Sequence, residues 1–317
     1  MAWKRPLHCC RSGKKLRHNG WVQLKEHEPL GPKTTMRIGG TARYFAELST
    51  KKDAEEAWAF AQQNHLPLIV LGSGSNTIFA DGEINALIAR VSAQQVQRTN
   101  EQTNKRTTIA ADAGKNLPML VNELAKEGFD LSPLTGIPGT VGGAIFGNAG
   151  QGPSGIWMDH FVKSVTIYDG AWKSLNNEEC GFRYRESAFK HWATTQSPMI
   201  WSAVLQIPTG DPKAIQMQIE HLLQRRIETQ PHQRTAGSCF KAVGDTPAWK
   251  LIDAAGLRGV KKGGVTISEK HANFLIGEKG ATFHDAIDIV NTVKEKIPEK
   301  LEVEMRFVKP DGSLAYE

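Results

Sequence analysis

One glycine-rich stretch, residues 132–151, constrains the fold of this chain more than any other feature. It reads SPLTGIPGTVGGAIFGNAGQ, with six glycines and two prolines around a few apolar residues. Glycine has no side chain to keep a bulky ligand away from the backbone, and it tolerates positive φ, so successive amides can turn toward one target. The stretch therefore predicts an anion-binding loop, with a merely tight loop as the alternative.

Two further glycine turns precede this stretch. Residues 68–76 (LIVLGSGSN) read as a short strand that enters a turn of small residues, and Gly39 and Gly40 precede another extended stretch. The pattern does not meet the G-x-G-x-x-G dinucleotide fingerprint, because Thr77 stands at the third glycine position and a strand pattern, not a helix, follows. Three such turns in the N-terminal half predict one extended, phosphate-bearing ligand.

The charge distribution argues against a nucleic-acid partner. Residues 1–20 hold six of the 39 Lys and Arg residues and no acid, so 33 basic and 33 acidic residues remain in the rest of the 317-residue chain. A nucleic-acid-binding surface should mark the folded body with positive charge. We expect a disordered basic tail over residues 1–20, which serves as an accessory anion or membrane contact or is an over-long start of the reading frame.

Location follows from the segments and cysteines of the sequence. The tail lacks the apolar core of a secretory signal, and no apolar run reaches the about 18 residues of a membrane span. Cys9, Cys10, Cys180 and Cys239 show no C-x-x-C spacing, which gives no case for a metal site or a disulfide framework. We therefore expect a cytoplasmic protein without membrane insertion and without a bound metal.

The hydrophobic periodicity predicts a mixed α+β fold. Helices are expected to start after Thr50, at Leu117 and at Pro212, and to cover 248–255 and 282–296; a strand is expected over 301–308. The helix from Pro212 should bury Ile215, Ile219, Leu222 and Leu223. A Pro-Thr-Gly-Asp-Pro turn at 208–212 predicts a boundary between a strand-rich and a helix-rich part.

Two segments of the C-terminal part carry chemical signals. In the strand LEVEMRFV, alternation places Glu302, Glu304 and Arg306 on one polar face, for which a solvated face with a weak ion pair is the plain alternative. Ser238 lies in AGSCFK; its S-x-x-K spacing occurs in penicillin-binding enzymes, but S-D-N and K-T-G are absent. The hydroxyl could instead donate a proton to a carbanion, or serve as a structural cap.

Seven motifs together resemble one family. R-I-G-G-T-A, L-G-S-G-S-N, G-I-P-G-T-V-G-G-A-I-F-G-N-A-G, Y-R-E-S, A-G-S-C-F-K, K-H-A-N-F and L-E-x-E-M-R occur in the order seen in the UDP-N-acetylenolpyruvoylglucosamine reductase family. The resemblance covers about residues 25–308. The short connection from Gly150 to Tyr184 leaves no room for an added lid domain, which is typical of the compact second class of these enzymes.

The resemblance implies a vanillyl-alcohol-oxidase-like (PCMH-like) FAD-binding fold of the α+β class, in two subdomains, followed by a C-terminal α+β substrate domain. The subdomains would cover 21–91, to which 307–317 would return, and 92–209. The substrate domain would cover 210–306, and the tail 1–20 would precede them.

The resemblance also implies the cofactors FAD and NADPH. NADPH would reduce the flavin, leave, and be replaced in the same cleft by the sugar-nucleotide substrate, so no separate nicotinamide motif is expected. The FAD-binding residues implied by position are Arg37, Gly72, Ser73, Gly74, Ser75, Asn76, Pro138, Gly139, Gly142, Gly143, Asn148 and Ala149.

Three catalytic residues follow from the resemblance. Hydride transfer to the enolpyruvyl ether develops negative charge beside the substrate carboxylate, and Arg185 would stabilise that charge. Ser238 would donate the proton that quenches the carbanion, and Glu304 would polarise the carboxylate network. Arg183, which would share strand parity with Arg185, and Glu302, on the same face as Glu304, are the alternatives.

Tyr184, Lys241, His271 and Asn273 are the implied substrate-binding residues, with a structural role as the alternative for Tyr184 and His271. Ala242 departs from the family, which usually has asparagine at that position. The implied function is reduction of UDP-N-acetylglucosamine enolpyruvate to UDP-N-acetylmuramate in peptidoglycan precursor synthesis, by a monomer. The alternatives are a related FAD oxidase of another small alcohol or sugar, and a catalytically inactive anion-binding module.

Overall fold

The computed structural model describes residues 15–16, 22–103, 106–151, 155–191 and 197–316. The described elements up to residue 91 are β1 (Lys15–Leu16), β2 (Leu24–Pro29), β3 (Thr41–Leu48), α1 (Lys51–Gln63), β4 (Leu68–Val70), β5 (Thr77–Phe79) and β6 (Glu83–Val91). Five of these strands form a mixed sheet in the order β1-β2-β3-β6-β4.

Helix α1 covers this first sheet. It begins with a capping box, in which Thr50 and Asp53 each bind the other's backbone amide, so two of the unpaired amides at the helix start are satisfied. Its buried face consists of Ala54, Ala57, Trp58 and Ala61. Because β3 and β4 both run parallel to β6, the helix crosses over between strands of one sheet.

A second sheet follows. Its elements are β7 (Val96–Thr103), β8 (Arg106–Asp112), α2 (Leu117–Lys126), α3 (Val141–Phe146), β9 (Val162–Tyr168), β10 (Trp172–Asn176) and β11 (Met199–Pro208). The strand order is β10-β9-β11-β8-β7, and all neighbours are antiparallel. One apolar cluster joins residues of both sheets, among them Leu87 and Leu205, so the two sheets share a core.

The C-terminal part is smaller and richer in helix. It contains α4 (Pro212–Thr229), α5 (Ala248–Ala254), β12 (Lys261–Lys262), β13 (Val265–Ile267), β14 (Leu275–Gly277), α6 (Phe283–Lys296) and β15 (Arg306–Val308). Strands β12, β13 and β14 form an antiparallel sheet. β15 instead returns to the N-terminal part, where it pairs in parallel with β5.

The predicted helices are confirmed, and two predictions of detail are wrong. Each of the five helices begins within one residue of its expected start. The strand expected over 301–308 is regular only from Arg306, because Glu302 and Glu304 bond singly to residues 239–241 instead of to a continuous partner strand. Leu223 is exposed, since the second half of α4 faces an open cleft.

The expected division into 21–91, 92–209 and 210–306 stays a prediction. The basic tail and Cys9 and Cys10 lie outside the described residues, apart from Lys15–Leu16 in β1. Across the described ranges, no helix combines the length and the hydropathy that a membrane crossing requires.

Two backbone segments meet closely at Gly40. Its amide donates to the carbonyl of Ala80, and the amide of Thr41 donates to the carbonyl of Gly82. A Cβ placed on Gly40 would lie 1.7 Å from the carbonyl oxygen of Gly82, a backbone atom that cannot move aside cheaply. Glycine is therefore required where the chain enters β3.

We expect Gly40→Ala to lower the free energy of unfolding by about 3 kcal/mol, because the added methyl group forces two paired backbone segments apart. Gly210→Ala is the matched control, since a Cβ there would meet only the side chain of Ile215, at 3.5 Å. That control should stay within about 1 kcal/mol of the wild type. Urea unfolding followed by circular dichroism measures both, and equal midpoints for the two variants would contradict the expectation.

Candidate active site

A cleft of about 1330 Å³ runs between the glycine turns, the C-terminal half of α4 and the segment around residue 240. Its volume exceeds the roughly 300–1,000 Å³ typical of pockets for drug-sized ligands, so it suits a dinucleotide or two ligands in turn. The predicted site residues that line it are Gly72, Ser73, Gly74, Ser75, Asn76, Pro138, Gly139, Gly142, Gly143, Ala149, Tyr184, Arg185, Ser238, His271, Asn273 and Glu304.

The turn at 72–76 forms one wall and is fixed from two sides. Ser75 Oγ donates to the Pro138 carbonyl at 3.2 Å, which ties this turn to the second glycine stretch. Gly74 has a φ of +67°, and a Cβ there would lie 2.4 Å from the carbonyl oxygen of Lys33. Glycine at position 74 is therefore required by backbone packing, whether or not a ligand is bound.

In the second glycine stretch, some glycines are required by close packing, and others leave free space in the cleft. A Cβ on Gly142 would lie 2.8 Å from the side chain of Ala113, so this glycine lets α3 approach the second sheet. A Cβ on Gly143 would meet only Thr140 Oγ1, at an ordinary 3.5 Å, and Gly143 is exposed in the cleft. The absence of a side chain at Gly143 therefore keeps space open for a ligand.

Residues 183–186 form a two-residue hairpin loop rather than a strand. The amides and carbonyls of Arg183 and Glu186 bond to each other, which leaves Tyr184 and Arg185 at the tip. Arg185 has a φ of +55°, a left-handed conformation that costs a non-glycine residue about 1–2 kcal/mol. Its side chain is 16% exposed and Nη2 donates to the Gly150 carbonyl at 2.9 Å.

Arg185 and Glu304 meet in the cleft. Arg185 Nε lies 3.5 Å from Glu304 Oε1, and both side chains are mostly buried. Nε is buried and carries no hydrogen bond within the described part of the chain. This donor is therefore oriented toward a carboxylate but is still available to a ligand.

The two alternatives for these residues are placed elsewhere. Arg183 is exposed and is not part of the cleft, because the hairpin loop removes the strand parity that would have paired it with Arg185. The side chain of Glu302 is 62% exposed and pairs with Lys241 at 3.0 Å, also away from the cleft.

Ser238 is half-buried in the cleft wall on a tightly fixed segment. The amide of Cys239 donates to the Asn273 carbonyl at 2.8 Å, and Ser238 bridges Phe274. The side chain of Asn273 donates to the Phe240 carbonyl at 2.8 Å and accepts from the Phe240 amide at 2.9 Å. Asn273 therefore clamps the backbone that presents Ser238.

Glutamate 186 joins several cations behind the hairpin loop. Lys241 Nζ contacts Glu186 Oε1, Lys190 Nζ lies 3.7 Å from the same oxygen, and His191 Nε2 lies 2.9 Å from Oε2. Burial raises the pKa of the Glu186 carboxyl, but the bonds and charges of these partners hold it below its ordinary value. For Lys241, burial lowers the pKa, but Glu186 and Glu302 raise it above its ordinary value.

Tyr184, Ala242 and His271 all line the cleft. The amide of Ala242 donates to Tyr184 Oη at 3.4 Å, so the tyrosine contacts backbone at the position where the family usually has asparagine. Burial, with a smaller contribution from Arg258, lowers the pKa of His271. A backbone hydrogen bond of His271 opposes this shift only in part, so the environment disfavours the charged imidazolium.

Three predicted site residues do not line the cleft. Arg37 is exposed and donates to the Pro32 carbonyl at 2.9 Å. Asn148 is fully buried, donating to the Arg183 carbonyl at 2.9 Å and accepting from the Asp159 amide at 3.0 Å. Lys241 is held by its two glutamates. Their assignments as ligand contacts stay predictions, and Asn148 visibly anchors the hairpin loop.

Several cationic side chains that line the cleft were not predicted from the sequence, Arg306, Arg226 and Lys190 among them. Arg306 stacks on the ring of Phe146 at 4.9 Å, its Nε is buried without a hydrogen bond among the described residues, and burial lowers its pKa to about 10. Arg226 and Lys190 also line the cleft, and burial lowers the pKa of each. Only the alternation of LEVEMRFV, which sets Arg306 beside Glu304, offered a signal.

The cleft is therefore suited to a large anionic ligand. Two glycine turns leave backbone open toward it, and the buried Nε atoms of Arg185 and Arg306 form no hydrogen bond with any described residue. Buried cationic donors without partners are costly unless a ligand satisfies them. In the ranges that the structure describes, no cluster of three or more His, Cys, Asp or Glu side chains could hold a metal ion.

Two family models match the chain. The model described as the FAD binding domain matches residues 42–171. The model described as the UDP-N-acetylenolpyruvoylglucosamine reductase C-terminal domain matches residues 230–307. The two matches cover the glycine turns and the Ser238 and Glu304 segments.

Similar whole proteins carry the same description. A UDP-N-acetylenolpyruvoylglucosamine reductase of Carboxydothermus hydrogenoformans is 35% identical over 88% of this chain and 91% of its own length, and one of Moorella thermoacetica is 35% identical over 90% and 92%. The solved reductase from Thermus caldophilus superposes with a TM-score of 0.75 at 29% identity, over 90% of this chain and 98% of that chain. The predicted fold class, α+β with an FAD-binding part and a C-terminal domain, is confirmed.

We expect Glu186→Gln to lower the free energy of unfolding at pH 7 by about 1 kcal/mol, the upper end for solvent-screened pairs. Because the folded-state pKa of Glu186 is depressed, its contribution is present above the ordinary value of 4.5 and is lost as pH falls through the folded-state pKa. The wild type and the variant should therefore converge as the pH falls below the folded-state pKa. Urea unfolding at a series of pH values measures this.

Glu178→Gln is the control for this prediction, because Glu178 is an exposed glutamate outside the cleft. Its stability should follow that of the wild type at neutral pH. A difference between Glu186→Gln and the wild type that grows as the pH falls would show that the sign is wrong.

Proposed function

The chain belongs to the UDP-N-acetylenolpyruvoylglucosamine reductase family, and we propose that Arg185, Ser238 and Glu304 carry out its reaction. It uses FAD and NADPH to reduce UDP-N-acetylglucosamine enolpyruvate to UDP-N-acetylmuramate, in peptidoglycan precursor synthesis. The observation that carries the site assignment is the convergence of a guanidinium, a hydroxyl and a carboxylate on the cleft between the two glycine turns.

The residues present fit FAD. The turn at 72–76 and the stretch around Gly143 would hold its diphosphate and adjoining groups, because open backbone and small hydroxyls can approach phosphate oxygens closely. The buried guanidinium of Arg306 is a cationic partner for an anionic part of the same ligand. When bound, the flavin supplies the hydride chemistry, and the protein supplies orientation and charge stabilisation.

Arg185 would stabilise the negative charge that develops beside the substrate carboxylate. Its guanidinium is fixed by the Gly150 carbonyl through Nη2, while the buried Nε remains without a hydrogen bond in the described part of the chain. A preorganised donor in a site that excludes water is worth more than one in water. Glu304 Oε1 lies 3.5 Å from Nε, so this carboxylate would keep the guanidinium oriented and partly balance its positive charge.

Ser238 would donate the proton to the substrate carbanion. A neutral hydroxyl can do this without prior ionisation, because the carbanion is a strong base. The Ser238 segment is held by the side chain of Asn273. Glu304 lies next to this segment, because its amide donates to the Cys239 carbonyl at 2.8 Å. Asn273 would therefore position Ser238 through the backbone, and its predicted contact with the substrate stays a prediction.

Tyr184 and His271 would contact the sugar nucleotide, since both line the cleft near Ser238. Lys241 would act only indirectly, by holding Glu186 behind the hairpin loop. We further propose that the enzyme works as a cytoplasmic monomer without a nucleic-acid partner, in line with its balanced charge outside the tail and with the unpaired, buried Cys180 and Cys239.

Replacing Ser238 should separate the two half-reactions. In Ser238→Ala, we expect NADPH to bleach the flavin at the wild-type rate, while recovery of the yellow absorbance on addition of the enolpyruvyl nucleotide slows by about 10²–10⁴-fold, the contribution of a general acid. Anaerobic stopped-flow absorbance measures both steps. Ser174→Ala, on exposed β10, should match the wild type in both.

The outcomes of this experiment are distinct. Equal slowing of both steps would refute the assigned role of Ser238. A colourless protein that takes up no added FAD would refute the proposed FAD site. Rapid oxygen consumption by the wild type without the enolpyruvyl nucleotide would instead favour an oxidase.

We expect Gly143→Leu to weaken FAD binding at least tenfold, because the new side chain would occupy the space that the glycine leaves open in the cleft. A Cβ at this position meets no backbone, so the FAD-free protein should unfold within about 0.5 kcal/mol of the wild type. Titration of the stripped protein with FAD by calorimetry measures the affinity. The FAD affinity of Gly143→Ala should lie between those of the wild type and Gly143→Leu. Unchanged affinity in Gly143→Leu would place the cofactor elsewhere.

A further inference from the structure

Lys190 lies beside the hairpin loop and is not used in the reaction described above. It ends a short 3₁₀ turn, Ala188–Lys190, and its side chain is only 19% exposed although it lines the cleft. Its Nζ donates to the carbonyl oxygen of Arg185 at 2.5 Å and lies 3.7 Å from Glu186 Oε1. A buried ammonium thus bonds directly to the backbone of the proposed catalytic arginine.

The conformation of Arg185 explains why such a bond matters. In the four-residue turn 183–186, Arg185 is the third residue and has a φ of +55°. A turn position with positive φ is normally occupied by glycine or asparagine. A strained residue of this kind persists only when its surroundings hold it. The hydrogen bond from Lys190 acts on the carbonyl group of the strained residue itself.

We propose that Lys190 is a positioning residue, whose ammonium holds the Arg185 backbone in the left-handed conformation so that the guanidinium reaches Glu304 and the Gly150 carbonyl. The proposal rests on the assigned role of Arg185. A charge-assisted hydrogen bond of this kind is about twice as strong as a neutral one and fixes the geometry of its acceptor. The backbone bond, rather than a contact with substrate, is what Lys190 contributes.

The surroundings of Lys190 agree with a buried, paired cation. Burial lowers its pKa, while the carboxylates of Glu186 and Glu304 raise it, and the charges of Lys241 and Arg306 lower it further. The carboxylates of Glu186 and Glu304 therefore offset part of the effect that burial and the two neighbouring cations have on the pKa of Lys190. Loss of the ammonium would leave the Arg185 carbonyl without its buried donor.

Lys190→Met tests the proposal, because it keeps the unbranched four-atom stem of the side chain and removes the ammonium group that makes the hydrogen bond. With the FAD-loaded, full-length protein, we expect sugar-nucleotide reduction to slow at least tenfold, while flavin bleaching by NADPH and FAD content stay within about twofold of the wild type. Lys190→Gln retains a neutral hydrogen-bond donor, so its rate of sugar-nucleotide reduction should lie between those of Lys190→Met and the wild type. Lys173→Met, which removes only a surface ion pair with Asp169, should match the wild type.

A double-mutant cycle separates positioning from direct action. In an Arg185→Ala background, Lys190→Met should slow sugar-nucleotide reduction by less than a further twofold, because the guanidinium that Lys190 would position is already absent. A full, additive loss in that background would mean that Lys190 acts on the substrate itself and would overturn the proposal. If Lys190→Met fails to retain FAD, the same comparison is made with Lys190→Gln and Lys190→Arg.

The same cycle distinguishes this inference from the proposed function. Wild-type turnover in Arg185→Ala would refute the role of Arg185 and the inference with it. Loss of turnover in Arg185→Ala together with wild-type turnover in Lys190→Met would refute only the inference.

Discussion

The segment from Glu302 to Arg306 is the connection on which the rest of the site depends. Its backbone bonds to the Ser238 segment through Lys241 and Cys239, and on its other side to Asn76, whose side chain donates to the Glu304 carbonyl at 3.1 Å and whose carbonyl accepts from the Arg306 amide at 3.0 Å. One stretch of extended chain thus joins the glycine turn at 72–76 to the segment of Ser238, the proposed proton donor. The carboxylate of Glu304 is fixed at that junction.

Charge in the cleft follows from burial as much as from residue type. Arg185, Arg226, Arg306 and Lys190 line it together with Glu304, and burial lowers the pKa of the lysine and of two of the arginines. Water alone would solvate these cations better than the protein does. Their concentration in one cleft is explained by ligands that carry a diphosphate and a carboxylate, which the family's cofactors and substrate supply.

The sequence predicted five of the six α-helices in the described ranges and the glycine turns, because capping, periodicity and missing side chains are local properties. It missed α3, since residues 141–146 lie inside the glycine-rich stretch that was interpreted as a loop. It did not predict the burial of Lys190, or that of Arg306, whose partners Phe146 and Val70 lie more than a hundred residues away in the chain. Arg183 remained an alternative to Arg185 because a strand was assumed where a hairpin loop forms, and the resemblance, not the periodicity, favoured Arg185. Asn273 lies in the expected place, but its amide is occupied by the Phe240 backbone, a pairing that only tertiary structure reveals.

The bond between Asn76 and Glu304 joins positions 228 apart in the chain. A ribosome that adds about 5–20 residues per second delivers the second partner roughly 10–45 s after the first. Until then the nascent polypeptide carries its glycine turns without the segment that completes the cleft, and closing so long a loop is intrinsically slow. The cleft therefore cannot reach its complete form before the Glu304 segment has been synthesised and has paired with the turn at Asn76.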